Sequence, residues 1–408
     1  MSKNVVFSII LFVLIAVVLE VSSYLVIERV LRPYGVYYVA EDTPRYSSMQ
    51  KNWHPEFGWP NPKILGPPTR DESGARVNPY FPELTRPCIS IYGESAVFGS
   101  EVEDQDAWSN VLSAELGCRI ANYGVRAYGL DQALLRFRGN AADRSGIVMM
   151  GAPPSVISRH VNQFRVLLPH TRRSPGQRPL IGLKPRFVLN ESGDLEFVEL
   201  PLDPLTREAY GALVEAPEEY LQAEYFQVNG ETGLSRKSFP YTLSLIRGMN
   251  HFLVRSRAVG KEWYADLYEE NHSSGALELT AALYSAFHDE AIASGRRPLV
   301  LLFPTAESIE DFRAGEGWLY QSLMDKLDQL DIPYLNIGEG MVARIGDRDA
   351  CEFYYRCIPH ANAEGSKIIA EIVQEYLAAH TALYPITSPP PVEAVTHAVH
   401  GNIRQPAN

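Results

Sequence analysis

The chain has 408 residues, 46% of them hydrophobic and 21% charged, with a formal net charge of −12. That length and apolar content support one large domain or two smaller ones and exclude a wholly disordered or fibrous chain. The acidic balance, without a long basic run, speaks against a duplex nucleic-acid partner, because phosphate binding is driven by Lys and Arg releasing counterions.

The first element is the apolar N-terminus. Lys3 precedes a run from Val5 to Leu19 that is apolar except for Ser8 and continues past Glu20 through Val21, Tyr24, Leu25 and Val26. A helix needs about 20 residues to cross a bilayer, so Val5 to Val26 suffices only with Glu20 near the far interface. Residues 1–30 are read as an uncleaved signal anchor with Lys3 on the cytoplasmic side. A cleaved signal peptide is the rival reading, although no clean A-x-A site follows. In either case the bulk of the chain is exported, and the expected location is the inner (cell) membrane, single-pass, with the main domain in the periplasm or outside the cell. Four cysteines suit that oxidising compartment. Cys88 and Cys118 each stand just before an apolar run read as a strand, and Cys351 and Cys357 bracket one short loop. Those are the expected pairs, against an alternative of four free buried thiols. No spacing resembles a zinc site, and no metal is expected.

Residues 31–87, rich in Pro, Gly, Tyr and Trp, read as a juxtamembrane lead-in packed on the domain surface. A regular alternation then begins over 88–160: strand Cys88 to Tyr92, helix Asp106 to Leu116, strand Arg119 to Asn122, helix Asp131 to Phe137, strand Gly146 to Met150. It resumes over 275–380: helix Leu277 to Ser294, strand Leu299 to Phe303, helix Gly317 to Leu330, strand Tyr334 to Ile337, helix Ala363 to Ala379. Short apolar strands separated by amphipathic helices predict a parallel five-stranded sheet covered on both faces, a flavodoxin-like three-layer α/β/α domain. Residues 161–274 are a large insertion. It contains a Pro- and Arg-rich stretch at 172–179, and its aromatics Tyr220, Tyr225 and Phe226 suit a cleft or a core. Residues 381–408, with Pro389-Pro390-Pro391, read as a disordered tail.

Three segments carry residues suited to chemistry. Ile89-Ser90-Ile91-Tyr92-Gly93-Glu94-Ser95 is a strand ending in a glycine turn that presents a serine at the carboxyl edge, where open α/β sheets bind ligands. Alone it is an ordinary strand-to-loop turn, and it lacks the second glycine of a G-x-S-x-G nucleophile elbow. Asn122-Tyr123-Gly124-Val125-Arg126-Ala127-Tyr128-Gly129-Leu130-Asp131-Gln132 follows the second strand. Pro359-His360-Ala361-Asn362-Ala363-Glu364-Gly365 places a histidine just before the last helix. No G-x-G-x-x-G follows a strand and no Walker-type lysine loop is present, so no cofactor is expected.

In that order, the three segments resemble the sequence blocks of the SGNH/GDSL hydrolases, over roughly residues 88–379 without the insertion. The resemblance implies an esterase or O-acyltransferase in which Ser95 is the nucleophile and His360 the base. Its oxyanion hole would use the amides of Ser95 and Ala127 and a third donor after the third strand, where the family's Asn is missing. Ser155, Arg159 and Asn162 are candidates, with Asn162 preferred. Glu94 stands where the family has Asp, and Cys357 where it has the carboxylate that orients the histidine. Asp349 and Glu352, on the same loop, are candidates for that acid. Family members anchored outside the membrane commonly act on acylated glycans, so the expected partners are an acylated glycan or other ester and the membrane. The departures also admit a non-catalytic glycan-binding or scaffold protein of the envelope.

Overall fold

The computed structural model describes residues 3–32, 35–40, 43, 45–62, 70–168, 182–258, 260 and 262–386. The Pro- and Arg-rich stretch at 172–179 and residues 387–408 of the expected tail lie outside the described residues, whereas 381–386, also read as disordered tail, hold to the domain through buried Tyr384, whose hydroxyl donates to the Pro298 carbonyl at 3.0 Å.

The chain opens with α1 (Lys3–Val26), continued by one wide turn at Ile27–Leu31. Over Lys3–Leu31 it is long and apolar enough to cross a membrane. The central sheet is built from β1 (Ile89–Gly93), β2 (Ile120–Asn122), β3 (Ile147–Ala152), β4 (Arg297–Leu302) and β5 (Tyr334–Asn336). All pairings are parallel, in the order β2-β1-β3-β4-β5. In chain numbers this is 2-1-3-4-5, the flavodoxin-like doubly wound order. The sheet is sealed on both faces, so its strands are apolar runs without alternation, such as Ile147-Val148-Met149-Met150, all buried.

The helices divide between the two faces. α2 (Ser95–Phe98) is a single turn leaving β1. α3 (Trp108–Leu116) joins two late helices, α8 (Ile337–Ile345) and α9 (Ala363–Ala379), on one side. α4 (Leu130–Gly139), α6 (Ala276–Ala293) and α7 (Gln321–Gln329) cover the other. The expected elements form within a few residues of their read bounds. Two helices were not among the expected elements: α8 and one at Ala306–Arg313. α8 starts directly at the end of β5, where the Asn336 side chain accepts the Gly338 N–H at 3.0 Å, leaving no turn signal between strand and helix.

The lead-in and the insertion both enter the core. Met49, Trp59 and Ala75 pack into the main apolar cluster, so the lead-in is not confined to the surface as the sequence suggested. Insertion residues Leu183, Phe187 and Phe226 join the same cluster. The insertion contributes an antiparallel hairpin, Arg186–Leu189 with Leu195–Val198, and α5 (Tyr241–Asn250). Residues Tyr37–Tyr38 pair in parallel with Ser235–Arg236, tying lead-in to insertion. Disulfides join Cys88 to Cys118 and Cys351 to Cys357.

Candidate active site

The switch point of a 2-1-3-4-5 sheet lies between β1 and β3, and the turn that leaves β1 there is tightly specified. A Cβ on Gly93 would fall 2.4 Å from the Gly151 carbonyl of β3 and 2.5 Å from Val97, so only glycine lets the strands approach this closely. Glu94 is extended and caps α2, its carboxylate accepting the Ala96 N–H at 2.6 Å. Ser95 follows as the first helical residue, so its amide belongs to the turn whose N–H groups have no intrahelical acceptor.

The second turn is fastened to the first. Tyr123 and Val125 donate to the Ile91 and Gly93 carbonyls at 2.7 and 3.0 Å, and a Cβ on Gly124 would lie 2.8 Å from the Phe98 nitrogen. The Asn122 amide donates to the Val97 carbonyl at 2.8 Å, while its oxygen accepts from Gly124 at 2.9 Å. Ala127 takes a left-handed backbone, with φ of 68°. A non-glycine residue adopts that conformation at a cost of about 1–2 kcal/mol. The carbonyls around it are held from the region after β3: Arg165 Nη1 donates to Ala127 at 2.6 Å and Arg159 Nη1 to Tyr128 at 2.7 Å.

His360 arrives from a constrained loop. The Cys351–Cys357 disulfide closes it, Arg356 and Cys357 both have left-handed φ, and Tyr355 donates to the His360 carbonyl at 2.8 Å. Beyond it Asn362 caps α9 through the Gly365 N–H at 3.0 Å. A Cβ on Gly365 would sit 2.2 Å from the Phe353 carbonyl, which makes that glycine obligatory.

These elements bring Ser95 Oγ to 2.8 Å from His360 Nε2. The same hydroxyl donates to the Glu94 carboxylate. Burial lowers the His360 pKa below its ordinary 6.5. Glu94 and Glu101 oppose that shift, while Arg126 and Arg159 reinforce it. Ser95 and Glu94 are buried, and His360 keeps a partly open edge.

The sequence-derived site residues separate into two groups. Ser95, His360 and the Ala127 turn come together at the carboxyl edge. Asn162 does not join them: it is fully buried with its amide donating to Phe164 O at 2.9 Å and to the Glu224 carboxylate. The cation after β3 that lies beside Glu94 is Arg159, its Nη1 3.7 Å from Glu94 Oε2. Asp349 and Glu352 are also engaged elsewhere. Asp349 accepts the Cys351 N–H at 2.8 Å, and Glu352 pairs with Arg348 at 2.8 Å. Cys357, in its disulfide, offers His360 no carboxylate. His360 Nδ1 has no hydrogen-bond partner among the described residues. The carboxylate beside it is Glu101, Oε1 at 3.9 Å, itself paired with Arg126 at 2.8 Å. Glu101 escaped the sequence reading because it lies six residues after the serine. The signal was Gly99, the left-handed cap that ends α2 after one turn and sends the chain back toward the same edge. Among the described residues no cluster of His, Cys, Asp and Glu is placed to hold a metal ion.

No family model matches the sequence, and no curated protein matches it. Among solved structures, the chain is similar to one described as a lipolytic protein of the G-D-S-L family from Desulfitobacterium hafniense. That match has 12% identity over 70% of this chain and 97% of the other, with a TM-score of 0.30. It is also similar to a protein from Lactobacillus plantarum (13% identity, 73% and 99% covered, TM-score 0.35). A third is described as a GDSL-like lipase from Parabacteroides merdae (9%, 72% and 98%, 0.33). Values this low carry no functional argument, so the chemistry rests on the site's own geometry.

Proposed function

We propose that the protein is a membrane-anchored, extracytoplasmic serine esterase or O-acyltransferase of the SGNH type, acting on acyl esters, in particular acetyl esters of a cell-envelope glycan. The observation that carries the reading is the 2.8 Å contact between Ser95 Oγ and His360 Nε2 at the switch point of the sheet. A burial-depressed pKa keeps the imidazole neutral, and therefore able to accept a proton, at neutral pH. In the proposed reaction Nε2 takes the hydroxyl proton as Oγ bonds to the ester carbonyl carbon. The oxyanion is held by the Ser95 and Ala127 amides, with the Arg159 guanidinium in place of the family's Asn. The C–O bond to the leaving alcohol breaks as the imidazolium returns the proton to it. Water or an acceptor hydroxyl then releases the acyl group from Oγ by the reverse proton path. Glu94 favours the transient imidazolium, since its charge pulls the His360 pKa upward. The location is supported by the apolar α1 and by two disulfides, which persist in oxidising compartments.

A second reading, a non-catalytic glycan-binding or scaffold protein, is favoured by one observation: His360 Nδ1 lacks the hydrogen-bonded carboxylate that would fix its tautomer. Fluorophosphonate labelling of the full chain in detergent separates the two. Catalysis requires labelling that disappears in both Ser95→Ala and His360→Ala. A folded, oxidised protein that takes no label, and releases no acetate from acetylated polysaccharides, would leave the binding reading in its place.

A further inference from the structure

Glu20 is the one charge inside the apolar run of α1, and its carboxylate is occupied. It accepts the N–H groups of Tyr241, and of Thr242 at 3.3 Å, which open α5. Those are the orphan donors of a helix N-terminus, where the macrodipole also favours a negative charge. The contact continues outward. Ser23 Oγ is 3.2 Å from Thr242 Oγ1, the Tyr24 and Tyr241 rings meet edge-on at 5.1 Å, and Lys237 pairs with Glu28. Ile27 and Leu31 are buried in a small cluster with Tyr37, Tyr241 and Leu245. The outer end of α1 is therefore bolted to α5.

This joint fixes the height of α5 against a bilayer. From Lys3 to Glu20 α1 rises about 26 Å at 1.5 Å per residue, which falls just short of a hydrocarbon core of about 30 Å. Glu20 and the start of α5 then lie at the outer boundary, with Tyr24 and Tyr241 where interfacial aromatics gather. At that level α5 turns apolar side chains outward: Leu243, Ile246 and Met249 are 45, 52 and 56% exposed, and Phe239, just before the helix, is 72% exposed. Exposed Arg247 borders that stripe. α5 packs against α1, which also exposes apolar side chains, and an amphipathic helix with a basic edge is the form that lies in a membrane interface.

We propose that α5 is an interfacial helix, with Phe239, Leu243, Ile246 and Met249 inserted into the headgroup–acyl boundary of the leaflet that α1 leaves, so that the domain sits down on the membrane. This rests on the reading of α1 as a membrane span. The test is spin labelling of the full chain in phosphatidylcholine–phosphatidylglycerol vesicles, at Leu243→Cys, Ile246→Cys, Phe12→Cys on α1 and Glu375→Cys, an exposed site on α9. Oxygen should outcompete a water-soluble nickel complex in relaxing labels at 12, 243 and 246, and the order should reverse at 375. Nickel-dominated relaxation at 243 and 246 with a lipid-like label at 12 would overturn the interfacial helix and leave the anchor standing. An aqueous label at 12 would overturn both. Spin–spin broadening at 243 that disappears on dilution with unlabelled protein would mean that a second copy covers the face, and would also overturn the proposal.

Discussion

Lys184 lies in the insertion, and its replacement measures how far the insertion supports the candidate site. Its ammonium pairs with the Asp131 carboxylate, with 1% of each side chain exposed. Asp131 follows the turn whose carbonyls at Ala127 and Tyr128 are held by Arg165 and Arg159, so the pair braces the segment that presents the Ala127 amide. Burial outweighs the attraction of Asp131 and pushes the Lys184 ammonium down from 10.5 to about 8. Because the folded pKa is the lower one, the unfolded chain binds more protons between pH 8 and 10.5. Stability should therefore rise with pH across that window. Lys184→Met removes the cation and strands the carboxylate, a loss of about 3–5 kcal/mol, whereas Lys184→Met with Asp131→Leu removes both charges and should recover most of it. The assay is the urea midpoint of the full chain in detergent at pH 7 and 10, with fluorophosphonate labelling run alongside. A single variant within about 1 kcal/mol of wild type, or a double variant as unstable as the single, would refute the reasoning.

Four further outcomes follow. Labelling of the wild type should fall as pH drops through the depressed His360 pKa, below 6.5, because only the neutral imidazole accepts the Ser95 proton. Glu101→Gln removes a charge that raises that pKa and should move the acid limb to still lower pH, and an unmoved limb would separate Glu101 from the imidazole. Ala127→Gly should keep labelling and alter stability by no more than about 1 kcal/mol, since relief of the left-handed backbone is offset by glycine's entropy, whereas Ala127→Val should lose about 2 kcal/mol in thermal unfolding and labelling with it. Opening the Cys351–Cys357 loop, with a sequence separation of 6, by paired serine substitution should cost about 2 kcal/mol of chain entropy and cut labelling sharply, while the Cys88–Cys118 pair, with a separation of 30, should cost about 4 kcal/mol. Unchanged labelling without the short loop would show that His360 needs no such constraint.

The layered fold was legible in the chain because local pattern carries it. Parallel strands buried on both faces must be apolar runs, and covering helices must be one-sided, so the alternation from Ile89 to Ala379 fixes class and strand count. Ser95 and His360 were singled out by the resemblance of their ordered segments to the SGNH/GDSL blocks, and the structure shows a backbone device beside each, the glycine turn at Gly93 and the helix start capped by Asn362. The apolar span of α1 likewise follows from composition, since a run of that length has few stable surroundings.

What the chain did not reveal was which side chains from different segments share charge. Asn162, favoured as a third donor by its residue type, spends its amide on Glu224, and Arg159, three residues earlier, reaches Glu94 instead. Asp349 and Glu352, favoured by closeness to His360, are drawn off by the Cys351 amide and Arg348, while Glu101, 259 positions away in sequence, comes beside the imidazole. Glu20 shows the same division. As sequence it is a costly charge in an apolar run, and its partners, the first amides of a helix some 220 residues later, exist only once the chain is folded. Periodicity is a property of neighbours in the chain and can be read from it. Pairing of buried charges depends on which segments the sheet edge and the insertion bring together, and the tertiary structure alone decides that.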